Sequence, residues 1–135
     1  MRPLQNAAIL TVAAIGCMAS TAAHAANRFG VVCVTNKTTI AIHYRIKIGN
    51  GEWQQRTMSP NEARSFSHRY DKINENKSPD LEIDFDSDLR AQKKFNTKYR
   101  LPRQAAAGDS CKEGAQYEFR YDKANRNFID LVKVP

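Results

Sequence analysis

Apolar and polar residues alternate along most of the chain after residue 26, which is the pattern of strands with one buried face. The clearest case spans residues 39–48, where every second residue is apolar: Ile40, Ile42, Tyr44, Ile46 and Ile48. Gly49-Asn50-Gly51 follows, and an Asn-Gly pair favours a tight hairpin because both residues tolerate positive φ. We therefore predict a β-hairpin whose second strand covers residues 52–58, with Trp53 packed between two sheets as a core residue.

Several further segments alternate in the same way: residues 64–70, 81–86, 95–101, 116–121 and 127–134. A first strand is predicted around Cys33, and turn-forming residues separate the strands about every ten positions. Helical periodicity is confined to at most one turn within residues 88–94. The pattern predicts a single all-β domain of seven to eight strands over residues 26–135. Its expected architecture is an antiparallel, immunoglobulin-like β-sandwich, with a small barrel as the alternative.

Residues 1–25 have the order of parts that is typical of a cleaved signal peptide. Arg2 precedes an apolar stretch at residues 7–18, and Ala23-His24-Ala25 fits the small-residue pattern before a cleavage site. We predict export by a bacterial cell, to the periplasm or as a secreted protein. The alternative address is a lipoprotein anchored at Cys17, because Ala14-Ile15-Gly16-Cys17 resembles a lipobox with Ala14 in place of the usual Leu.

Two cysteines, Cys33 and Cys111, remain after such a leader is removed. An even pair in an oxidising compartment predicts a disulfide. A free nucleophilic or metal-binding thiol is the less favoured alternative, because neither cysteine has a second Cys or a His at the spacing of such a site. In the chain-entropy model, closing so long a loop stabilises the fold by roughly 4 kcal/mol.

Composition narrows the classes of protein further. The chain has 135 residues, 41% of them hydrophobic, which suffices for one packed core and argues against disorder throughout. No apolar run approaches the roughly 20 residues that a membrane-spanning helix needs, so no transmembrane segment is predicted. The formal net charge is +7, and this excess of Lys and Arg favours an anionic partner.

An acidic ladder occupies alternate positions of one segment: Asp80, Glu82, Asp84, Asp86 and Asp88. Carboxylates at such spacing share a strand face, and several carboxylate oxygens suit Ca²⁺. The match to a calcium-binding loop fails, because Leu89 stands where a glycine is needed and Phe95 where a bidentate Glu is needed. We predict neither a metal nor a cofactor, and expect the ladder to face a basic strand carrying Lys94, Lys98 and Arg100.

A basic strip lies next to this ladder in the sequence: Arg90, Lys93, Lys94, Lys98, Arg100 and Arg103. Such a cluster attracts phosphate, sulfate or carboxylate groups. Export argues against nucleic acid, so an anionic envelope glycan or lipid is the expected ligand. Phe95 and Tyr99 alternate with the lysines and are predicted to face the core. If the ladder and the strip are neighbouring strands, they neutralise each other and this signal weakens.

The histidines give little support for catalysis. His43 falls on the polar face of its strand and His68 on the apolar face of another. Neither lies in a motif of a zinc protease or a serine hydrolase. No catalytic residues are therefore predicted, although a small hydrolytic or metal-dependent enzyme stays open as the least favoured alternative.

Short segments spread over the chain resemble small uncharacterised β-rich domains of exported bacterial proteins. They are residues 33–38, Trp53, residues 60–62, residues 85–89, residues 117–119 and residues 128–131. The resemblance implies a bacterial envelope location and a β-rich fold, and it carries no activity. The resulting hypothesis is an exported, non-catalytic binding module that contacts anionic glycan or lipid through the basic strip. A protein-partner module, such as an inhibitor or adhesin-like subunit, is the alternative.

Overall fold

A computed structural model describes residues 25–75, 77–90 and 94–135 of the chain. Residues 1–24 of the predicted leader, with Cys17, and one residue of the basic strip, Lys93, lie outside the described residues. The strands are β1 (Phe29–Asn36), β2 (Ile42–Ile48), β3 (Gln54–Met58), β4 (Ala63–Arg69), β5 (Leu81–Phe85), β6 (Thr97–Leu101), β7 (Gln104–Ala106), β8 (Ala115–Tyr121) and β9 (Ile129–Val134). A single turn of 3-10 helix, Cys111–Glu113, precedes β8. In these residues no helix is long and apolar enough to cross a membrane.

The strands form two sheets that pack face to face. The first sheet has the order β4-β1-β8-β9, with β7 also paired to the beginning of β1, and the second has the order β3-β2-β5-β6. Aromatic rings join the sheets: Phe85 lies 5.0 Å from Phe119, and Tyr44 lies 6.1 Å from Phe66, both edge to face. The predicted all-β sandwich is confirmed, and the barrel alternative is wrong because the sheets do not close on each other.

The alternation of residues 39–48 predicted the buried face of β2 correctly. Ile42, Tyr44 and Ile46 are buried in the core, whereas His43 is exposed. The hairpin that follows has Gly49 at φ 58°, the left-handed conformation that favours glycine, and β3 begins at Gln54 opposite Ile46. The predicted turn therefore forms where the Asn-Gly signal lies.

Two features of the first sheet differ from the prediction. Nine strands are present among the described residues, because the short strand β7 adds to the seven to eight that the alternation predicted. In addition, β8 runs parallel to β1, with Val32 opposite Ala115 and Asn36 opposite Phe119, although every pair was expected to be antiparallel. Alternation of apolar residues shows which face of a strand is buried but not the direction of its neighbour, so the sequence could not show this pairing.

The predicted disulfide is confirmed between Cys33 and Cys111, whose Cα atoms lie 4.9 Å apart. Cys33 sits in β1 and Cys111 in the 3-10 turn, so the bridge fixes the chain just before β8 enters the sheet. Gly114 also lets the chain before β8 approach β1 closely, because a Cβ at this position would lie 2.8 Å from Val31 Cγ1. The bridge and this glycine together hold β8 beside β1.

A buried asparagine fixes the opposite end of the sandwich. Asn36 is fully buried, and its side-chain amide donates to the carbonyls of Ile40 and Met58 at 2.8 and 3.0 Å. Its Oδ1 accepts from the backbone and the hydroxyl of Thr38 at 2.9 and 2.7 Å. Every hydrogen-bonding group of this side chain is used, so its burial is stabilising rather than costly.

Candidate anion-binding site

The acidic ladder lies on a strand between two basic strands. In the register of the second sheet, Asp84 of β5 is opposite Arg45 of β2 on one side and Lys98 of β6 on the other. Glu82 is likewise opposite Lys47 and Arg100. The expected pairing of the ladder with a basic strand is confirmed for Lys98 and Arg100, whereas Lys94 precedes β6 and does not face the ladder. Strand β2 supplies a second basic neighbour.

Four of the five acids of the ladder form ion pairs. They join Asp84 to Arg45 at 2.8 Å, Glu82 to Lys47 at 3.4 Å, Asp80 to Arg100 at 2.7 Å, and Asp88 to Arg90 at 3.4 Å. The remaining acid, Asp86, accepts the backbone N–H of Phe95. Much of the positive charge on this side of the molecule is therefore compensated locally.

The residues of the predicted basic strip occupy separate environments. Arg90 is ion-paired and lies over the ring of Phe128 at 4.9 Å. Arg103 is half-buried and donates to the carbonyl oxygen of Ser78, and burial lowers the pKa of its guanidinium. Lys94 and Lys98 are exposed, and neither holds an ion pair with any described carboxylate. Of the strip residues, Lys94 is the one that lines the candidate site.

A stack of aromatic rings around Arg45 forms the centre of this face. The guanidinium carbon of Arg45 lies 4.6 Å from the ring centroid of Trp53 and 5.2 Å from that of Phe95, and Lys47 Nζ also lies 5.2 Å from Trp53. Trp53 was predicted to be a core residue, and this is wrong. Because Gln54 faces the interior side opposite Ile46, its neighbour Trp53 points to the outer face, where cations pack on its ring.

Phe95 also lies outside the core, contrary to prediction, because β6 begins only at Thr97. Its φ of 59° is in the left-handed region, which is unusual for a residue with a large side chain. The Asp86 carboxylate accepts its N–H, and the next residue, Asn96, donates its backbone N–H to Phe85 at 3.1 Å. These bonds turn the chain outward and lay Phe95 over β2. Tyr99 lies opposite the buried Ile83 and 5.9 Å from Phe85, but it is 38% exposed, so it borders the core rather than forming part of it.

The turned segment closes one side of a hollow of about 280 Å³ on the outer face of β2 and β3. We call it the Phe95 hollow; its lining residues are His43, Gln55, Arg56, Thr57, Lys94 and Phe95. His43 Nδ1 and Thr57 Oγ1 lie 3.0 Å apart, and Arg56 donates to Gln54 Oε1 at 2.9 Å. No carboxylate lines the hollow, and neither Arg56 nor Lys94 holds an ion pair within the described parts of the chain.

His43 also borders a smaller cleft of about 120 Å³ that includes Asp86 and Asp88. Both carboxylates already have partners, the Phe95 N–H and Arg90 respectively, and no hydroxyl or thiol lines the cleft. Within residues 25–75, 77–90 and 94–135 no cluster of His, Cys, Asp and Glu has the arrangement of a metal site. His68 lies half-buried on β4, away from this cleft.

A second groove, of about 310 Å³, opens between β3 and β4, the two edge strands on one side of the sandwich. Ile46, Ile48 and Phe66 supply its apolar lining, and Arg56 is shared with the Phe95 hollow. Behind this edge, burial raises the pKa of the Tyr44 hydroxyl, and the positive charges of Arg64 and Arg56 oppose that shift. We call this feature the edge groove.

Comparison of the chain with models of protein families, with characterised proteins and with solved structures finds no match.

Proposed function

We propose that this protein is an exported, non-catalytic binding module whose Phe95 hollow takes an acidic sugar unit of an envelope glycan. The observation that carries the proposal is the absence of any carboxylate from a hollow that gathers an aromatic ring with Lys94, a cation free of ion pairs in the described chain. Elsewhere on this face Arg45, Lys47 and Arg100 are paired with acids. The hollow is therefore where an external anion meets the least local competition.

The lining groups suit a sugar that carries a carboxylate, sulfate or phosphate. Lys94 supplies a charge-assisted hydrogen bond to the anion, while Thr57 and Gln55 supply neutral donors and acceptors for hydroxyl groups. The face of Phe95 offers a flat apolar surface for a pyranose ring. Arg45 lies behind that ring with its charge neutralised by Asp84, so it supports Phe95 rather than binding the ligand.

Location in the bacterial envelope is part of the same proposal. The disulfide between Cys33 and Cys111 is typical of an oxidising compartment, and the predicted leader gives the route. A periplasmic or secreted protein meets acidic polysaccharides and the head groups of anionic lipids. Neither of the carboxylates beside His43 is available as a general base, which supports binding rather than catalysis.

The test compares soluble sugars that differ in charge. By calorimetry, alginate and heparin oligosaccharides should bind, neutral dextran should not, and added salt should weaken binding. Lys94→Gln and Phe95→Ala should each reduce affinity about tenfold, the effect of losing one charge-assisted hydrogen bond or one stacking partner. Lys98→Gln, which removes an exposed lysine of β6 outside the hollow, is the matched control and should bind within about twofold of the unaltered protein. Equal losses of affinity in Lys94→Gln and Lys98→Gln would show that the sugar is attracted by the overall charge of the protein and is not bound in the hollow.

The edge groove supports a second candidate function, recognition of an extended segment of another protein. Strands β3 and β4 each pair with one strand only among the described residues, so each leaves one edge for strand addition. Ile46, Ile48 and Phe66 would receive an apolar side chain of the added strand. Peptides selected from a random library should then lose binding in Gln54→Lys and Ser67→Lys, which fill the groove, and keep it in Ser110→Lys. Selected peptides that bind the two groove variants as tightly as the unaltered protein would exclude this candidate function.

A further inference from the structure

One exposed apolar side chain stands out at the end of the sandwich where β1 begins and β4 ends. Ile73 is 58% exposed, which is more than any other large apolar residue among those described; Leu89 and Tyr99 follow at 40% and 38%. It lies in the turn directly after β4. An isoleucine side chain that stays in water on a turn forgoes the free energy that its burial would contribute.

Two arginines flank this isoleucine. Arg28 and Arg69 line a hollow of about 440 Å³ together with Tyr70, Asp71 and Ile73. Both arginines are exposed, and neither is ion-paired with a described carboxylate. We call this group of residues the Ile73 end.

Hydrogen bonds hold the Ile73 turn in place. Tyr70 donates its N–H to the Arg28 carbonyl at 2.7 Å, and Asn74, with φ of 59°, donates to the Asn27 carbonyl at 2.8 Å. Asn27 returns a bond to Asn74 Oδ1 at 2.8 Å. The turn is therefore tied to the segment that leads into β1 and presents Ile73 in a defined position rather than on a loose loop.

The balance of charge at this end is positive. Lys72 and Lys77 are exposed beside the turn and add to the two arginines. One of the two acids, Glu75, accepts the backbone N–H groups of Asp71 and Lys72 at 3.1 and 3.3 Å, so its carboxylate is engaged within the turn. The Asp71 carboxylate is the remaining acid that lines the hollow.

We infer that the Ile73 end docks onto the surface of an anionic lipid bilayer, with Ile73 in the boundary between head groups and acyl chains and Arg28 and Arg69 on lipid phosphates. An apolar side chain ringed by cations is the arrangement that interfacial membrane binding requires. A soluble anion would use the arginines but gives no role to Ile73. A single isoleucine is too small for the core of a stable protein interface.

Vesicle sedimentation tests the inference in the processed protein, residues 26–135, which lacks Cys17 and the apolar leader and can bind lipid only through the folded domain. The protein should sediment with phosphatidylcholine vesicles that contain phosphatidylglycerol and stay in solution with phosphatidylcholine alone. Ile73→Ser should lower the partition coefficient about tenfold, and Arg28→Gln with Arg69→Gln should lower it more than tenfold, because each cation near an anionic surface contributes about fivefold. Leu89→Ser, and Lys123→Gln with Lys133→Gln, are the matched controls and should partition like the parent.

The outcomes separate this inference from the proposed function and from binding of free phosphate. Lys94→Gln and Phe95→Ala should leave vesicle binding unchanged, since they alter the Phe95 hollow and not the Ile73 end. Soluble glycerol phosphate should compete poorly if Ile73 enters the bilayer, and it should compete fully if the arginines bind phosphate alone. Equal partition of Ile73→Ser and Leu89→Ser, or no preference for phosphatidylglycerol, would overturn the inference.

Discussion

Asp84 is the residue that most constrains the outer face of the second sheet. It is 3% exposed, and its Oδ2 accepts two hydrogen bonds from Arg45, at 3.1 and 2.8 Å, while Oδ1 has no partner. A buried carboxylate with one counterion depends strongly on that counterion. Arg45 therefore has a structural role, and its two aromatic neighbours reinforce it.

This dependence gives a prediction for the stability of the fold. Arg45→Gln should lower the free energy of unfolding by about 3 kcal/mol, because it leaves a buried carboxylate without a counterion. Arg90→Gln breaks an ion pair whose arginine side chain is 58% exposed, and it should change that free energy by less than about 0.5 kcal/mol. Urea denaturation measures both values. Similar losses in the two variants would show that Asp84 is not dependent on Arg45.

Tyr44 gives a prediction for alkaline pH. Its ring is fully buried, and its hydroxyl makes no hydrogen bond of normal geometry, although Arg64 lies close to it. Burial raises the pKa of this hydroxyl above its usual value near 10, and the charge of Arg64 opposes that shift only in part. Above the unfolded pKa the unfolded chain loses this proton while the folded chain retains it, so stability falls as pH rises from about 10 through the folded pKa. Tyr44→Phe should reduce that loss and should not destabilise the protein at neutral pH.

Tyr121→Phe is the control for the Tyr44 prediction. The Tyr121 hydroxyl accepts a hydrogen bond from the Thr39 N–H and shares another with the Thr39 hydroxyl at 2.8 Å. These bonds lower its pKa, which is the opposite shift. The variant should lose about 1 kcal/mol at neutral pH and should not reduce the alkaline loss. Unfolding curves recorded from pH 7 to 11 distinguish the two tyrosines. An unchanged alkaline loss in Tyr44→Phe would contradict the assignment.

At the scale of elements, the disulfide governs how β8 joins β1. It spans 78 positions of sequence, so reduction should release a large loop in the unfolded chain. Replacing Cys33 and Cys111 together by Ala should lower the free energy of unfolding by about 2 to 4 kcal/mol, measured in urea. Dithiothreitol should have the same effect on the unaltered protein and none on the double variant. A double variant as stable as the parent would show that β8 docks without the bridge.

The sequence indicated faces of strands more reliably than their partners. Alternation identified the buried residues of β2, and the Asn-Gly pair identified the turn at Gly49, because both signals are local. The parallel direction of β8 and the short strand β7 depend on contacts between distant segments, which no local pattern encodes. The pairing of acidic and basic strands was predictable in part. The ladder indicated that a neighbouring strand is basic, but it did not indicate that β2 is a second basic neighbour.

The candidate site was the hardest part to predict. Lys94 was singled out for its charge, but His43, Gln55, Arg56 and Thr57 come from strands whose outer faces carry no distinctive motif. Phe95 was assigned to the core because it continues an alternating pattern. The bond from its N–H to Asp86 and its left-handed backbone break that pattern, and neither has a clear sequence signature. The nearest available signal was an aromatic residue next to an exposed lysine.

On the scale of the whole molecule, the net charge of +7 is distributed unevenly. The second sheet places an acidic strand between two basic ones, which removes the continuous basic surface that the sequence suggested. Two groups of exposed cations outside ion pairs lie in hollows of the described chain, at the Phe95 hollow and at the Ile73 end, and others such as Lys98 lie outside both. In our proposals the first binds an acidic glycan, and the second holds the domain at a membrane surface.

The central claim, that the Phe95 hollow binds an acidic sugar, is tested most directly by mapping a bound oligosaccharide onto the protein by NMR. Titration of ¹⁵N-labelled protein with an alginate oligosaccharide should shift the backbone amide signals of His43, Gln55, Thr57, Lys94 and Phe95. Signals from the Ile73 end and from β9 should stay in place, and a dextran oligosaccharide should shift none of them. Signals that do not move at saturating alginate, or that move around Arg28 and Arg69 instead, would contradict the account.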